Sequence, residues 1–306
     1  MSVAMTWPMQ QSMKNADDGN DMTICLGLHT FAIAPVWDVA RIERHMERLK
    51  TIGVGLFEIP LLRPAEIDIA ATRDFAERHD MRLVASLGLP DTLDVGARPE
   101  EALDFLRPAL DVTKAIGSDC LSGVTYATIG KTSGKPPTQT EMDGVCRFLD
   151  KAAREAGKRG LKLGIEPCNR YETHLLNTAA QARQCVERVG ADNLFIHLDT
   201  YHMHIEEQGF ARGFADALPY LGYVHLSESN RGVPGQGMVN WPACMAALKQ
   251  CGYEGAMTLE SMNHVDADIA GGLAIWRPVA SHPDDVIDKG LPFLVQKARE
   301  AGLMVA

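Results

Sequence analysis

Short apolar runs with β-strand character alternate along the chain with segments in which apolar residues recur at helical spacing. The runs begin near eight positions: Ile24, Val54, Arg82, Asp119, Leu161, Leu194, Leu221 and Gly255. Strands that are separated by single helices pair in parallel through right-handed crossovers, and eight such units form a closed barrel. The pattern therefore predicts an α/β fold, a (β/α)8 TIM barrel that forms a single domain over residues 23–306.

The helical segments support this alternation. Three of them each have an apolar face. The first face consists of Val39, Ile42, Met46 and Leu49, the second of Met142, Val145, Leu149 and Ala153, and the third of Ala179, Ala182, Val186 and Val189. Gly53 and Gly190 follow the first and third segments and predict helix C termini, because glycine readily adopts the left-handed conformation found there. Thr178 is the predicted N-cap of the third segment.

An open doubly wound sheet is the alternative fold for alternating strands and helices. Such a sheet normally carries a glycine-rich nucleotide-binding turn after its first strand. The first run here, ICLGLH, is followed by TFAIAPVW, which contains no such turn. The closed barrel is therefore the favoured prediction.

Residues 1–22 are rich in Met, Gln, Asn and Asp, and they have neither a basic start nor a long apolar core. This composition is not that of a secretory signal. We expect a flexible N-terminal extension and a cytoplasmic protein.

Composition narrows the classes of function. The 306 residues carry a net charge of −10, which disfavours a nucleic-acid partner because phosphate binding depends on clustered Lys and Arg. No apolar run reaches the roughly 20 residues of a membrane span, so no membrane partner is expected. The seven cysteines include no CxxC pair, which indicates buried thiols in a reducing compartment.

Four residues of types that bind metals stand at or near the ends of four consecutive predicted strands. They are Glu166 after LKLGI, Asp199 in LFIHLD, His225 in YVHLSE and Glu260 in AMTLE. The C-terminal strand ends of a parallel barrel face one mouth, so these side chains are expected to converge there. Three carboxylates and one imidazole suit Mn²⁺, Mg²⁺ or Co²⁺ in octahedral geometry.

Four protein ligands leave two positions for adjacent substrate oxygens, such as the carbonyl and hydroxyl oxygens of a ketose. The cation would stabilise the enediolate that forms when the proton between them leaves. Glu166 and Glu260 come from different strands, so we predict that they lie on opposite faces of the sugar, one as the general base and the other as the general acid. Inversion at carbon 3 would follow.

The segments GIEPCNRYE, HLDTYHMHIEE, HLSESNRGVPGQG and TLESM resemble the signature segments of the D-tagatose 3-epimerase and D-allulose (D-psicose) 3-epimerase family. This family belongs to the xylose-isomerase-like sugar isomerase and epimerase barrels. The likeness is strongest over residues 161–262 and weaker over most of the remaining chain. It implies an isomerase in which Glu166, Asp199, His225 and Glu260 bind the metal, with Mn²⁺ as the expected ion. It also implies a ketose substrate and a homodimer or homotetramer.

The resemblance further implies that Glu172, His202 and Arg231 hydrogen-bond the carbonyl end of the sugar. The residue types suit this role, because Arg is a fixed fork of donors while His and Glu exchange hydrogen bonds with hydroxyl groups. His197 shares a strand face with Asp199 and is expected to lie behind the site.

Departures from the family pattern leave the preferred ketose open. The loop after the fourth strand, YATIGKTSGKPPTQ, has no Trp, and Met262 stands near a position that is frequently aromatic. His204 replaces a usual Asn and is predicted to lie at the surface or behind the site. In the loop RGVPGQG, Arg231 is the only basic residue and Pro234 lacks an N–H donor, which favours an unphosphorylated sugar. D-Tagatose, D-fructose, D-allulose and L-ribulose all remain candidates.

Other functions compete on the same barrel. A metal-dependent dehydratase or an aldose–ketose isomerase would use the same enediolate chemistry. A DNA-repair endonuclease would need a multi-metal cluster and a basic groove, and the sequence indicates neither. A sugar-binding protein without activity is disfavoured because every expected ligand and both acid–base residues are present.

Overall fold

The computed structural model describes residues 22–90 and 92–305. Its strands are β1 (Met22–His29), β2 (Leu56–Pro60), β3 (Arg82–Ser86), β4 (Cys120–Ser122), β5 (Lys162–Ile165), β6 (Leu194–Asp199), β7 (Leu221–Leu226), β8 (Ala256–Leu259) and β9 (Leu303–Val305). The first eight pair in parallel in chain order, and β1 pairs with both β2 and β8, which closes the barrel. The prediction of a single-domain (β/α)8 TIM barrel is confirmed.

The α-helices of the described residues follow the strands and surround the barrel. They are α1 (Val39–Glu43), α2 (Met46–Ile52), α3 (Ile69–His79), α4 (Pro99–Ala115), α5 (Gln139–Lys158), α6 (Ala179–Val189), α7 (Thr200–Glu206), α8 (Phe210–Ala217), α9 (Trp241–Gln250), α10 (Ala267–Ala270) and α11 (Leu291–Glu300). Among the residues that the structure places, no helix is both long and apolar enough to cross a membrane.

The predicted helix ends agree with the structure. Gly53 and Gly190 have φ angles of 100° and 68° and terminate α2 and α6. Thr178 caps α6 and forms a capping box with Gln181, in which each side chain accepts a backbone N–H from the other residue. The first predicted apolar face is divided, because the chain leaves the helix between α1 and α2.

Two features at the chain ends differ from or extend the prediction. Met22, the last residue of the predicted extension, is the first residue of β1, while residues 1–21 lie outside the described residues. Strand β9 was not predicted from the sequence. It pairs in parallel with the first three residues of β1, outside the closed barrel.

The interior of the barrel is layered along its axis. The first layer is apolar and consists of Leu56, Val84, Cys120, Phe195, Tyr223 and Ala256. Residues two positions further along a strand point to the same face, so the next layer holds buried polar side chains, namely Glu58, Ser122, His197, His225 and Thr258. The apolar layer therefore closes one end of the barrel. The polar layer lies between it and the mouth at the C-terminal ends of the strands.

Gly164 in β5 shows how tightly this interior is packed. A Cβ atom there would collide with Ser122 Oγ and approach the Phe195 ring at 2.7 Å. Gly164→Ala is therefore expected to lower the free energy of unfolding by about 1–3 kcal/mol, the usual cost of overpacking. Equilibrium urea unfolding measures this cost. In Gly157→Ala on α5, the new Cβ would meet Asn193 Nδ2 at 3.5 Å, so the urea midpoint should not fall; equal midpoints for the two variants would contradict the prediction.

Candidate active site

The four predicted metal ligands come together at the mouth of the barrel. Glu166 directly follows β5, Asp199 ends β6, His225 lies near the end of β7 and Glu260 directly follows β8. All four are buried. His225 Nδ1 lies 3.7 Å from Asp199 Oδ2 and 3.6 Å from Glu260 Oε1.

His225 is oriented by a buried carboxylate on the far side of its ring. Its Nε2 atom lies 2.5 Å from Glu58 Oε2, and within the described residues its Nδ1 atom has no hydrogen-bond partner. In the neutral ring, the proton therefore belongs on Nε2, and the lone pair of Nδ1 points toward Asp199 and Glu260. A buried, unpartnered imidazole nitrogen that faces two carboxylates fits a divalent cation.

The fourth predicted ligand, Glu166, lies next to this group of three. Asp199, His225 and Glu260 have potential ligand atoms within 4.8 Å of one another, and Glu166 forms an overlapping group with Asp199 and His202. Burial, together with the charges of Glu260 and Asp199, raises the pKa of Glu166 well above the usual value for glutamate. A cation among these carboxylates would remove that repulsion.

Asp199 is held rigidly by the start of α7. Its Oδ1 atom accepts the Tyr201 N–H at 2.6 Å, which caps the helix, and its Oδ2 atom accepts the Ser227 hydroxyl at 2.8 Å. The carboxylate thus has a fixed orientation beside His225 before any ligand is bound.

His202 fits the sugar rather than the metal. Its Nδ1 atom accepts the backbone N–H of Asn169 at 3.1 Å, so a neutral ring carries its proton on Nε2. Burial lowers the pKa of His202 to about 4, which keeps the ring neutral near pH 7. Nε2 lies 3.7 Å from Glu166 Oε1 and is therefore a donor that faces the site.

Arg231 and Glu172 lie together beside this donor. Arg231 Nη1 is 3.4 Å from Glu172 Oε1, and its Nη2 is 3.3 Å from Glu260 Oε2. The guanidinium group lies 4.5 Å from the centre of the Tyr201 ring. Arg231 has a φ angle of 57°, which is uncommon for a residue with a side chain.

Glu228 fixes the loop that carries Arg231. Its buried carboxylate accepts the backbone N–H groups of Ser229, Gly235 and Val239 at 2.8–3.0 Å, and the Trp241 indole N–H at 2.9 Å. Four donors on one carboxylate hold the loop in place, which allows the unusual backbone angle of Arg231.

A cavity of about 840 Å³ opens above these residues. Glu166, Glu172, His202, His225, Arg231 and Glu260 line its polar part, and Phe31, Leu62, Ile129, Met262 and Leu273 line its apolar part. Two of the departures from the family pattern, the loop without Trp and Met262, therefore lie in the cavity wall. Ile129 comes from the loop without Trp, and Met262 stands after β8.

Residues behind the site were only partly predicted. His197 is buried and lies 3.7 Å from Glu166 Oε2, as expected for a residue behind the site, whereas His204 is exposed on α7. Glu58 and His29 were missed. The available signal was a carboxylate within the otherwise apolar strand LFEIP, and a histidine at the end of the first strand.

Known proteins share both the sequence pattern and the fold of this chain. The family model described as xylose isomerase-like TIM barrel matches residues 46–296. The chain belongs to this family. It is 35% identical over 277 residues to the L-ribulose 3-epimerase of Methylomonas sp. (strain DH-1), a match that covers 89% of this chain and 96% of that one.

Further relatives agree. The ketose 3-epimerase of Arthrobacter globiformis is 33% identical over 258 residues, covering 82% of this chain and 89% of that one. The structure of D-allulose 3-epimerase from Methylomonas sp. in complex with D-allulose superposes with a TM-score of 0.83 at 35% identity, covering 90% of this chain and 97% of that one. The chain is an isomerase of the ketose 3-epimerase type, as the sequence predicted.

Proposed function

We propose that this enzyme inverts carbon 3 of an unphosphorylated ketose with the help of a divalent cation. The observation that carries the proposal is the Nδ1 atom of His225, which among the described residues has no hydrogen-bond partner and faces two buried carboxylates beside a sugar-sized cavity. Glu166, Asp199, His225 and Glu260 would hold the cation, for which we propose Mn²⁺, with Co²⁺ and Mg²⁺ as alternatives. When bound, the cation supplies positive charge that stabilises the enediolate.

The carbonyl end of the sugar would be held by the polar wall of the cavity. His202 donates from Nε2, Arg231 donates from its guanidinium group, and Glu172 accepts from hydroxyl groups. Arg231 has a buried guanidinium group, so its position varies little and it would orient the sugar before reaction.

Two glutamates would move the protons. One of Glu166 and Glu260 removes the hydrogen of carbon 3 as a proton, and the other delivers a proton to the opposite face of the same carbon. Glu166 approaches from the β5 side beside His197 and His202, while Glu260 approaches from the β8 side beside Arg231. This separation supports proton transfer at the two opposite faces of carbon 3.

The charges that line the cavity support a substrate without phosphate. Among the described residues, the cations in the cavity wall each pair with carboxylates: Arg63 with Glu66, Asp266 and Asp268, Lys131 with Asp94, and Arg231 with Glu172 and Glu260. A phosphate group would have to compete with these partners. Two relatives are named L-ribulose 3-epimerase and D-psicose 3-epimerase. We propose D-tagatose, D-fructose, D-allulose and L-ribulose as substrates to test.

Exchange of carbon-bound hydrogen tests this function. The metal-loaded protein is incubated with D-fructose, D-tagatose or L-ribulose in heavy water, and the products are identified by NMR. We expect deuterium at carbon 3 together with the 3-epimer. Loss of water would favour the dehydratase, an aldose product would favour the aldose–ketose isomerase, and no exchange with any ketose would contradict the proposal.

We further infer a homodimer or homotetramer from the family resemblance, and we propose a cytoplasmic location, where the seven cysteines would stay reduced. Small-angle scattering measures the particle mass in solution, and a monomeric mass would contradict the inference.

A further inference from the structure

Glu58 lies beneath the proposed metal site, at the base of the cavity. Its Oε2 atom accepts the Tyr223 hydroxyl at 2.7 Å and lies 2.5 Å from His225 Nε2. Its other oxygen, Oε1, lies 3.5 Å from His29 Nε2. The side chain is fully buried in the middle of the barrel. Burial of such a carboxylate costs free energy unless its charge is paired and hydrogen-bonded.

The partners of Glu58 have their own orientations fixed. His29 Nδ1 accepts the Phe31 N–H at 3.1 Å, so its proton lies on Nε2, toward Glu58. The Tyr223 hydroxyl also lies 2.6 Å from Thr258 Oγ1. The Tyr223 hydroxyl therefore holds Glu58 Oε2 under the His225 ring, while the His29 ring adds a longer contact at Oε1.

The contact of Glu58 Oε2 with His225 Nε2 decides which nitrogen of His225 can bind a cation. A neutral imidazole has one N–H and one lone pair. Because Glu58 can only accept at Nε2, the lone pair is left on Nδ1, the atom that faces Asp199 and Glu260. The negative charge behind the ring also makes Nδ1 a stronger electron-pair donor.

Glu58 is unsuited to the other roles open to a buried carboxylate. Within the described residues it belongs to no group of mutually close metal-ligand atoms. Its Oε2 atom already has two partners, and the His225 ring stands between it and the carboxylates of the site. Its direct contact with a proposed metal ligand is the one to His225.

We propose that Glu58 is a positioning residue that fixes His225 as an Nδ1 ligand and thereby sets the affinity of the site for divalent cations. The inference depends on the proposed cation site, and it is independent of which sugar the enzyme epimerises.

Direct cation binding tests the proposal. Free Mn²⁺ is titrated with wild type, Glu58→Gln and Glu58→Ala, and the unbound ion is measured by electron paramagnetic resonance. Loss of such a partner typically weakens metal binding about 10–100-fold, and we expect the smaller effect for Gln, whose amide oxygen still accepts the N–H. The deciding value is the Mn²⁺ dissociation constant of Glu58→Ala, or that of Glu58→Gln if Glu58→Ala does not fold. A value within threefold of wild type overturns the proposal, and a larger increase supports it.

Glu207→Gln is the matched control. Glu207 is the same residue type, is partly buried and accepts the backbone N–H of Ala179 at 2.7 Å, at the start of α6, so its hydrogen bond involves neither a proposed metal ligand nor a proposed sugar-binding residue. Its Mn²⁺ affinity should therefore equal that of wild type. An equal loss in Glu207→Gln and Glu58→Gln would assign the effect to general damage and overturn the proposal.

Rescue by metal separates positioning from damage and from a wrong function. With a ketose that wild type epimerises, excess Mn²⁺ should restore the kcat of Glu58→Gln to near the wild-type value. Turnover that stays low at saturating Mn²⁺ would contradict a role through metal affinity. If no ketose is epimerised, the proposed function fails, but the resonance titration still measures the effect of Glu58.

Discussion

Glu166→Gln and Glu260→Gln should each reduce carbon-3 epimerisation by about 10²–10⁴-fold, the range that general acid–base catalysis typically contributes. Gln keeps the size of the side chain and an oxygen that can bind the cation, but it cannot accept or deliver a proton. Turnover is measured at saturating Mn²⁺, so that weaker metal binding does not account for the loss.

Hydrogen exchange makes this prediction sharper, because the two glutamates are proposed to serve opposite faces. Glu260→Gln should still exchange the carbon-3 hydrogen of the epimer whose hydrogen faces Glu166, without forming product. Glu166→Gln should do so only for the other epimer. Normal epimerisation in either variant would remove that residue from the mechanism. Glu300→Gln, on the exposed face of α11, is the control and should match wild type.

Removal of divalent cations should abolish epimerisation and lower the thermal midpoint of the protein. The site gathers the buried carboxylates of Glu166, Asp199 and Glu260, and without a cation their repulsion opposes folding. A ligand that binds only the folded state stabilises it by about 4 kcal/mol when its concentration is about 1,000 times its dissociation constant. The chelated protein is compared with the Mn²⁺-loaded protein by calorimetry and by turnover.

Addition of Mn²⁺ after chelation should restore both properties. Asp199→Asn provides a matched variant, since it keeps the side-chain size and removes one negative charge; it should gain less thermal stability from Mn²⁺ than wild type does. Full turnover in protein freed of divalent cations would contradict the proposed chemistry.

The sequence predicted the barrel because each strand and helix carries its own local signal. The eight predicted strand starts fall within two residues of the observed ones, since apolar runs and helix caps are decided by neighbouring residues. The rule that parallel strands end at one mouth then brought Glu166, Asp199, His225 and Glu260 together without knowledge of any contact.

Features that depend on distant partners were missed. Strand β9 is only three residues long and exists because it pairs with β1, about 280 residues away in the sequence. Glu58 appears in the sequence as one acid within an apolar strand, and its meaning depends on Tyr223 and His225, two positions on a strand far along the chain. The shape of the apolar cavity wall likewise depends on packing between loops that are separate in sequence.

The most direct test of the account is the position of the bound cation. Crystals grown with Mn²⁺ are measured at the manganese absorption edge, where anomalous scattering locates this element alone. We expect one strong peak within coordinating reach of Glu166, Asp199, His225 Nδ1 and Glu260. A peak elsewhere, or Mn²⁺ bound through His202 in place of His225, would contradict it.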